Sequence, residues 1–266
     1  MSRHCTFLVL VCSFSLLSIP ITAQQPAPPS SSAVTLLRQS LAAQVGISVV
    51  SDVTLTGSAR RIAGSDDESG TATLRALSSG AARLDLSLPS GTRSEFRSPL
   101  SEFPTGGWSG PDGVVHAIPY HNLIGDWGWF PVFTLANAST VQSSVLTLVG
   151  TETRNGQSVI HVTEFQQFPN LTPDNAALMQ HLSQIDIFLD SATLLPSVVS
   201  YNAHADRNVL RDIPVEIHFS DYRTVNGAQI PFHIQKFQNN SLLLDLQFQS
   251  ATLNTGLTAA QVGGAQ

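Results

Sequence analysis

Charge is scarce in this sequence: Asp, Glu, Lys and Arg make up only 12% of its 266 residues, roughly half the share in an average soluble domain. That excludes charge-driven disorder and coiled coil, both of which need dense charge. Lysine is nearly absent, Lys236 being the only one, and 13 basic residues against 19 acidic leave a net charge of -6. Such a surface repels phosphate backbones, so nucleic acid is excluded as a partner. Cysteine stops at Cys5 and Cys12, so the rest of the chain builds no disulfide and must be stabilised by a core, which it is long enough to form. Long apolar runs are also missing. The one candidate, Phe7 to Ile19, falls short of the ~20 residues that a membrane-spanning helix requires.

That short run has a different meaning. Arg3 and His4 precede it, and Ile21-Thr22-Ala23 follows it before Gln24-Gln25, which is the layout of a cleaved secretory signal over residues 1–23. The expectation is an exported, soluble protein of the periplasm or the extracellular space, with no integral membrane segment in the mature chain. Val11 before Cys12 is too bulky for a lipoprotein acylation site. Residues 24–32, with three prolines and a serine run, read as a flexible tether.

Polar surface comes instead from 32 Ser and 21 Thr, distributed in patterns that change along the chain. From Ala33 to Gln44, Val34, Leu37 and Leu41 recur at helical spacing beside Leu36, and Gly46 stops the helix. The period then drops to two. Val53, Leu55, Gly57 and Ala59 alternate with polar partners, an acidic turn over 64–70 leads into Thr71 to Ser78, and Ala82, Leu84, Leu86 and Leu88 alternate most cleanly. Thr92 to Ser98 follows. These are half-buried antiparallel strands.

The second half repeats the pattern. Val145 to Thr151 and Ser158 to Phe165 flank Asn155-Gly156, a strong hairpin signal because both residues accept positive φ. Thr172 and Pro173 start a helix that runs to about Ile185. Ile185 to Leu189, Leu195 to Tyr201, Val215 to Tyr222, Ile230 to Phe237 and Leu242 to Phe248 form a meander, in which Val215, Ile217 and Phe219 face the same way as Ile230, Phe232 and Ile234. The fold class is mainly β, a curved antiparallel sheet or incomplete β-barrel of about 9–11 strands, wrapped around the N-terminal helix and one mid-chain helix.

This order of elements, together with the stretch Phe219-Ser220-Asp221-Tyr222-Arg223-Thr224-Val225-Asn226-Gly227-Ala228-Gln229-Ile230-Pro231-Phe232 and the ending Ala251-Thr252-Leu253-Asn254, resembles the LolA/LolB-like periplasmic lipoprotein carriers and their outer-membrane lipoprotein-sorting relatives. The resemblance covers residues 33–255 in element order and 215–254 in motif, leaving 256–266 as a C-terminal tail. It implies one domain whose concave apolar face holds an acyl chain, lipid or lipoprotein. It carries over no functional residue.

Residues 99–133 break the alternation. Trp108, Trp127 and Trp129, the only tryptophans, lie here among Gly106-Gly107, Gly110-Pro111, Gly113, Gly125, Gly128 and Pro131, with Phe130 and Phe133 beside them. The five aromatics are the candidate ligand-binding residues, and the segment is either a lid over the cavity or a plug filling one end of the sheet.

Catalytic patterns are missing. There is no zinc-protease His pair, no Cys-x-x-Cys and no phosphate loop, and Gly107-Trp108-Ser109-Gly110-Pro111 departs from the nucleophile elbow at Pro111. No cofactor or metal is expected, although Asp112, His116, His121 and Asp126 lie close in sequence and leave a hydrolase or metal enzyme over 112–126 as an alternative. His161, His218 and His233 read as ordinary strand residues. A structural interaction domain without ligand is the third reading. The leading one is a non-enzymatic carrier.

Overall fold

The computed structural model describes residues 31–98, 104–126, 128–138 and 143–263. The segment read as a secretory signal, nearly all of the segment read as a tether, and Trp127 therefore lie outside the described residues.

Helix α1 (Ser31–Val45) opens the fold, and strands β1 (Asp52–Ala63), β2 (Asp66–Leu77), β3 (Ala82–Leu88), β4 (Gly91–Ser98), β5 (Thr105–Ser109) and β6 (Val115–Ala117) form a first meander. Helices α2 (Tyr120–Leu123) and α3 (Pro131–Ala138) lead to a second. It runs through β7 (Ser144–Arg154) and β8 (Gln157–Gln166), then α4 (Pro173–Ser183), then β9 (Ile185–Asp190), β10 (Pro196–Ala205), β11 (Asn208–Val225), β12 (Ala228–Gln238) and β13 (Ser241–Leu253). Helix α5 (Ala259–Val262) follows. Pairing of β1 with β13 joins the meanders into one thirteen-stranded antiparallel sheet with β6 and β7 at its edges. At that seam the register slips beside Gly57, where a Cβ would run into the backbone carbonyl of Gln247. Only glycine fits so close a strand approach.

The strand count exceeds the expected 9–11 because β5 and β6 are built from the 99–133 segment, whose glycines hide the alternation. The first hairpin is also tighter than expected. Ala63 pairs with Asp66 across Gly64-Ser65, so the acidic residues lie on β2, where Asp67 pairs with Arg60 at 2.6 Å.

Curvature follows from one contact. Glu95 on β4 and Lys236 on β12 stand five strands apart in sheet order, about 24 Å on a flat sheet at the usual spacing of neighbouring strands. Their side chains meet at 3.8 Å. The sheet therefore curls around its apolar face, without closing.

Inside the curl lies one core, formed by Val53, Leu55, Leu74, Leu84, Ile187, Ile217, Ile234 and Leu246 from the sheet with Leu37 from α1 and Phe133 and Leu135 from α3. The faces of β11 and β12 are as expected. Phe219 pairs with Ile234, and Val215, Ile217, Phe219, Ile230, Phe232 and Ile234 are all buried. The buried stripe of α1 runs through Ala33, Leu37, Ser40 and Gln44, one step round from the expected face. The helix that joins α1 in the concavity is α3, not the α4 that Thr172 and Pro173 announce. Val132, Phe133, Leu135 and Ala138 belong to the core, whereas α4 is mostly exposed and buries only Leu182 and Ser183. Residues 255–263 are tied down. Asp52 accepts hydrogen bonds from the backbone of Thr255 and Gly256 at 2.8 and 2.9 Å, and Val262 of α5 is fully buried.

Candidate functional site

Alternation decides what the concave face carries. On β3 it presents Leu84 and Leu86, on β13 Leu244, and on the paired positions of β4 it presents Arg93 and Glu95. Arg61 of β1 pairs with Leu244, and Lys236 of β12 faces the same space. These residues enclose a cavity of about 420 Å³, open to solvent and completed by Ile62, Ala63, Trp108, Trp129 and Leu243. Its walls are mainly apolar, and three cations stand in it against one carboxylate. The volume lies within the usual range of small-molecule sites.

The cations differ in their partners. Lys236 has Glu95 at 3.8 Å and lies 4.9 Å over the Trp129 ring, a cation–π contact that orients both side chains. Arg61 and Arg93 have no ion-pair partner among the described residues. Arg61 Nη1 and Arg93 Nε are buried and meet no acceptor, an unfavourable state for guanidinium N–H groups.

Behind the cavity wall lies a buried ion pair. Arg97 binds Asp126 at 2.5 Å and Glu95 at 3.1 Å. Burial alone would lower the pKa of the Arg97 guanidinium, but the carboxylates of Asp126 and Glu95 outweigh it and hold the pKa above its ordinary value. Burial would raise the pKa of Asp126, and Arg97 reverses this, holding the carboxyl below its ordinary range. The Asp126 carboxylate also accepts from the Gly128 backbone at 2.9 Å, which fixes the turn that delivers Trp129. A second cavity of about 120 Å³ lies here, lined by Arg97, Asp126, Trp129, Phe130 and Phe133.

The expected aromatics thus fall into two sets. Trp108, on β5, is 46% exposed and stacks on His116 of β6 at 4.2 Å between ring centroids. Trp129, Phe130 and Phe133 are 2%, 3% and 4% exposed and belong to the core. Trp108 and Trp129 line the same cavity, from opposite ends of the segment. The cations were missed from sequence. Arg61 and Arg93 are polar residues in alternating strands, and only the register reveals that they face inward.

The other candidate set does not converge. Asp112 closes a turn onto the Val114 backbone, His116 stacks on Trp108, His121 lies on α2 and Asp126 binds Arg97. His161, His218 and His233 each hydrogen-bond a carboxylate on the sheet, those of Asp186, Glu216 and Asp245.

No family model and no curated protein matches the sequence. Solved structures do match. A domain from Vibrio parahaemolyticus named for outer membrane lipoprotein sorting aligns with a TM-score of 0.54 at 12% identity, over 87% of this chain and 96% of that one. A DUF1329 family protein from Desulfovibrio piger aligns at 0.57 and 12%, over 89% and 98%. A LolA superfamily protein from Nitrosomonas europaea aligns at 0.53 and 8%, over 87% and 97%. At such identities the likeness is one of fold, and the fold is LolA/LolB-like. Among the described residues no helix is long and apolar enough to cross a membrane.

Proposed function

We propose that the protein is a non-enzymatic carrier of the cell envelope, which holds an amphiphile with an anionic head group in the concave face of its half-barrel. The observation that carries this reading is the cavity itself, with Leu84, Leu86, Leu243 and Leu244 along its walls and Arg61, Arg93 and Lys236 set against Glu95 alone. Leucine side chains suit an alkyl or acyl chain. Guanidinium groups whose buried N–H donors lack acceptors suit a carboxylate or phosphate. The fold adds support, since two of the similar structures are named for lipoprotein sorting or for the LolA superfamily. Trp108 covers the open side, Trp129 lies against the chain of the ligand, and Phe130 and Phe133 form the wall behind it. Trp127 is included in the proposed binding set on its place in the sequence alone. Residues 1–23 direct export, so the carrier works in the periplasm or outside the cell, on a lipid or the acyl part of a lipoprotein.

Titration of the purified protein with a fluorescent long-chain fatty acid, and separately with its methyl ester, tests both parts. The acid is expected to bind more tightly than the ester, and Arg61→Gln and Arg93→Gln are expected to weaken the acid alone. Binding of neither probe would remove the carrier reading. Equal binding of both, unchanged in the two variants, would keep the apolar cavity and remove the anion site.

A further inference from the structure

We propose that His181, His204 and Asp212 bind a divalent transition-metal ion of the zinc type, at the place where α4 meets the β10–β11 hairpin. The three residues come from three elements, yet one donor atom from each lies within 4.8 Å of the others. Asp212 Oδ1 lies 2.9 Å from His181 Nε2 and 3.3 Å from His204 Nε2. Tetrahedral zinc with ligands at ~2.1 Å holds neighbouring donors about 3.4 Å apart, so the ion fits with small side-chain adjustments. Two imidazoles and a carboxylate are a donor set that zinc uses.

His204 supplies the second, independent observation. Its side chain is fully enclosed, and neither Nδ1 nor Nε2 has a hydrogen-bond partner. Buried polar groups are nearly always paired, and here water has no access to either nitrogen. The surroundings are braced. The Asn122 side chain accepts from His204 N at 2.7 Å and donates to His204 O at 2.9 Å, and Asn202 Nδ2 lies 3.3 Å from Asp212 Oδ2. His181 and Asp212 are each 41% exposed, so solvent water completes the coordination. His121 lies just behind, its ring centroid 6.2 Å from that of His204 and its Nε2 buried without a partner.

The ion clamps the exposed helix α4 to the sheet, a contact independent of the lipid cavity and of the carrier reading. Isothermal titration of full-length protein, free of any histidine tag, with zinc chloride is expected to show one ion per chain. Zinc is expected to raise the melting temperature, and cobalt(II) to give the visible absorption of a four-coordinate site. His181→Ala and Asp212→Asn, both on partly exposed side chains, are expected to lower zinc affinity by more than about tenfold while leaving the melting temperature in EDTA unchanged. No saturable binding to the wild type, or binding that survives in both variants, would overturn the site.

Discussion

The aromatic segment between β4 and β7 divides into two halves of opposite fate, one rich in glycine and one without it. Thr105 to Ala117 extends the sheet by two short strands at its edge, and its tryptophan leans on His116 with nearly half of its surface in water. Trp129 to Ala138 turns inward, and its aromatic side chains join the core beside α1. The Arg97–Asp126 pair and the Asp126–Gly128 turn stand between the halves. A glycine- and proline-rich aromatic segment need not be either lid or plug as a whole. Edge strands leave a side chain free to cover a cavity, whereas a short helix with four buried apolar residues completes a core.

The inner half gives the largest expected effects. Phe133→Ala is expected to cost about 3–5 kcal/mol in urea unfolding, the usual loss for a buried aromatic. A cost below ~1 kcal/mol would mean that α3 is not core, and the two halves would no longer differ. Arg97→Met is next, at roughly 3 kcal/mol near neutral pH, because it leaves Asp126 buried and unpaired. Its pH dependence sharpens the point. In the wild type the lowered pKa of Asp126 gives a stabilisation present above the unfolded carboxyl pKa and lost as pH falls through the folded one. Without Arg97, burial raises that pKa instead, so Asp126 takes up a proton more readily in the folded state. The stability gap between variant and wild type is therefore expected to narrow from pH 7 towards about pH 4. A constant gap would place the cost of the substitution in lost packing.

Within the sheet, Ile217→Asp is expected to destabilise by several kcal/mol and Glu216→Ala by about 1 kcal/mol or less, since burying an unpaired charge outweighs loss of a partly exposed ion pair. Glu216 pairs with Arg154 at 2.6 Å on the opposite face. Equal losses would mean that the faces are misassigned.

That contrast also shows what the sequence can reveal. The faces of β11 and β12 were legible because alternation has a period of two and a slip of one residue would expose the whole set. The turn at Asn155-Gly156 was legible because positive φ selects these residue types, and Asn226-Gly227 adopts the same conformation between β11 and β12. The role of α3 was not, since eight residues among glycines and prolines carry too little periodicity, although Pro131 stands at a first helical position just as Pro173 does. Nor were the sites. Arg61, Arg93 and Lys236 become neighbours only when the sheet curls, and His181, His204 and Asp212 come together from a helix and two strands with no spacing that marks them.

The outer half gives the smallest stability effect and the most specific functional one. Trp108 touches His116 and lines the cavity, yet 46% of its surface is exposed, so Trp108→Ala removes little buried area and is expected to change unfolding free energy by only ~0.5 kcal/mol. If the indole covers the mouth, the same substitution speeds escape of a bound fluorescent fatty acid, because the barrier to leaving falls while the leucine walls and the cations remain. Stopped-flow displacement by unlabelled fatty acid measures that rate. Trp129→Ala acts differently, lowering stability and affinity together, because its ring is both core and cavity wall. A Trp108 variant with wild-type release, or one that unfolds as readily as Phe133→Ala, would break the division between the two halves.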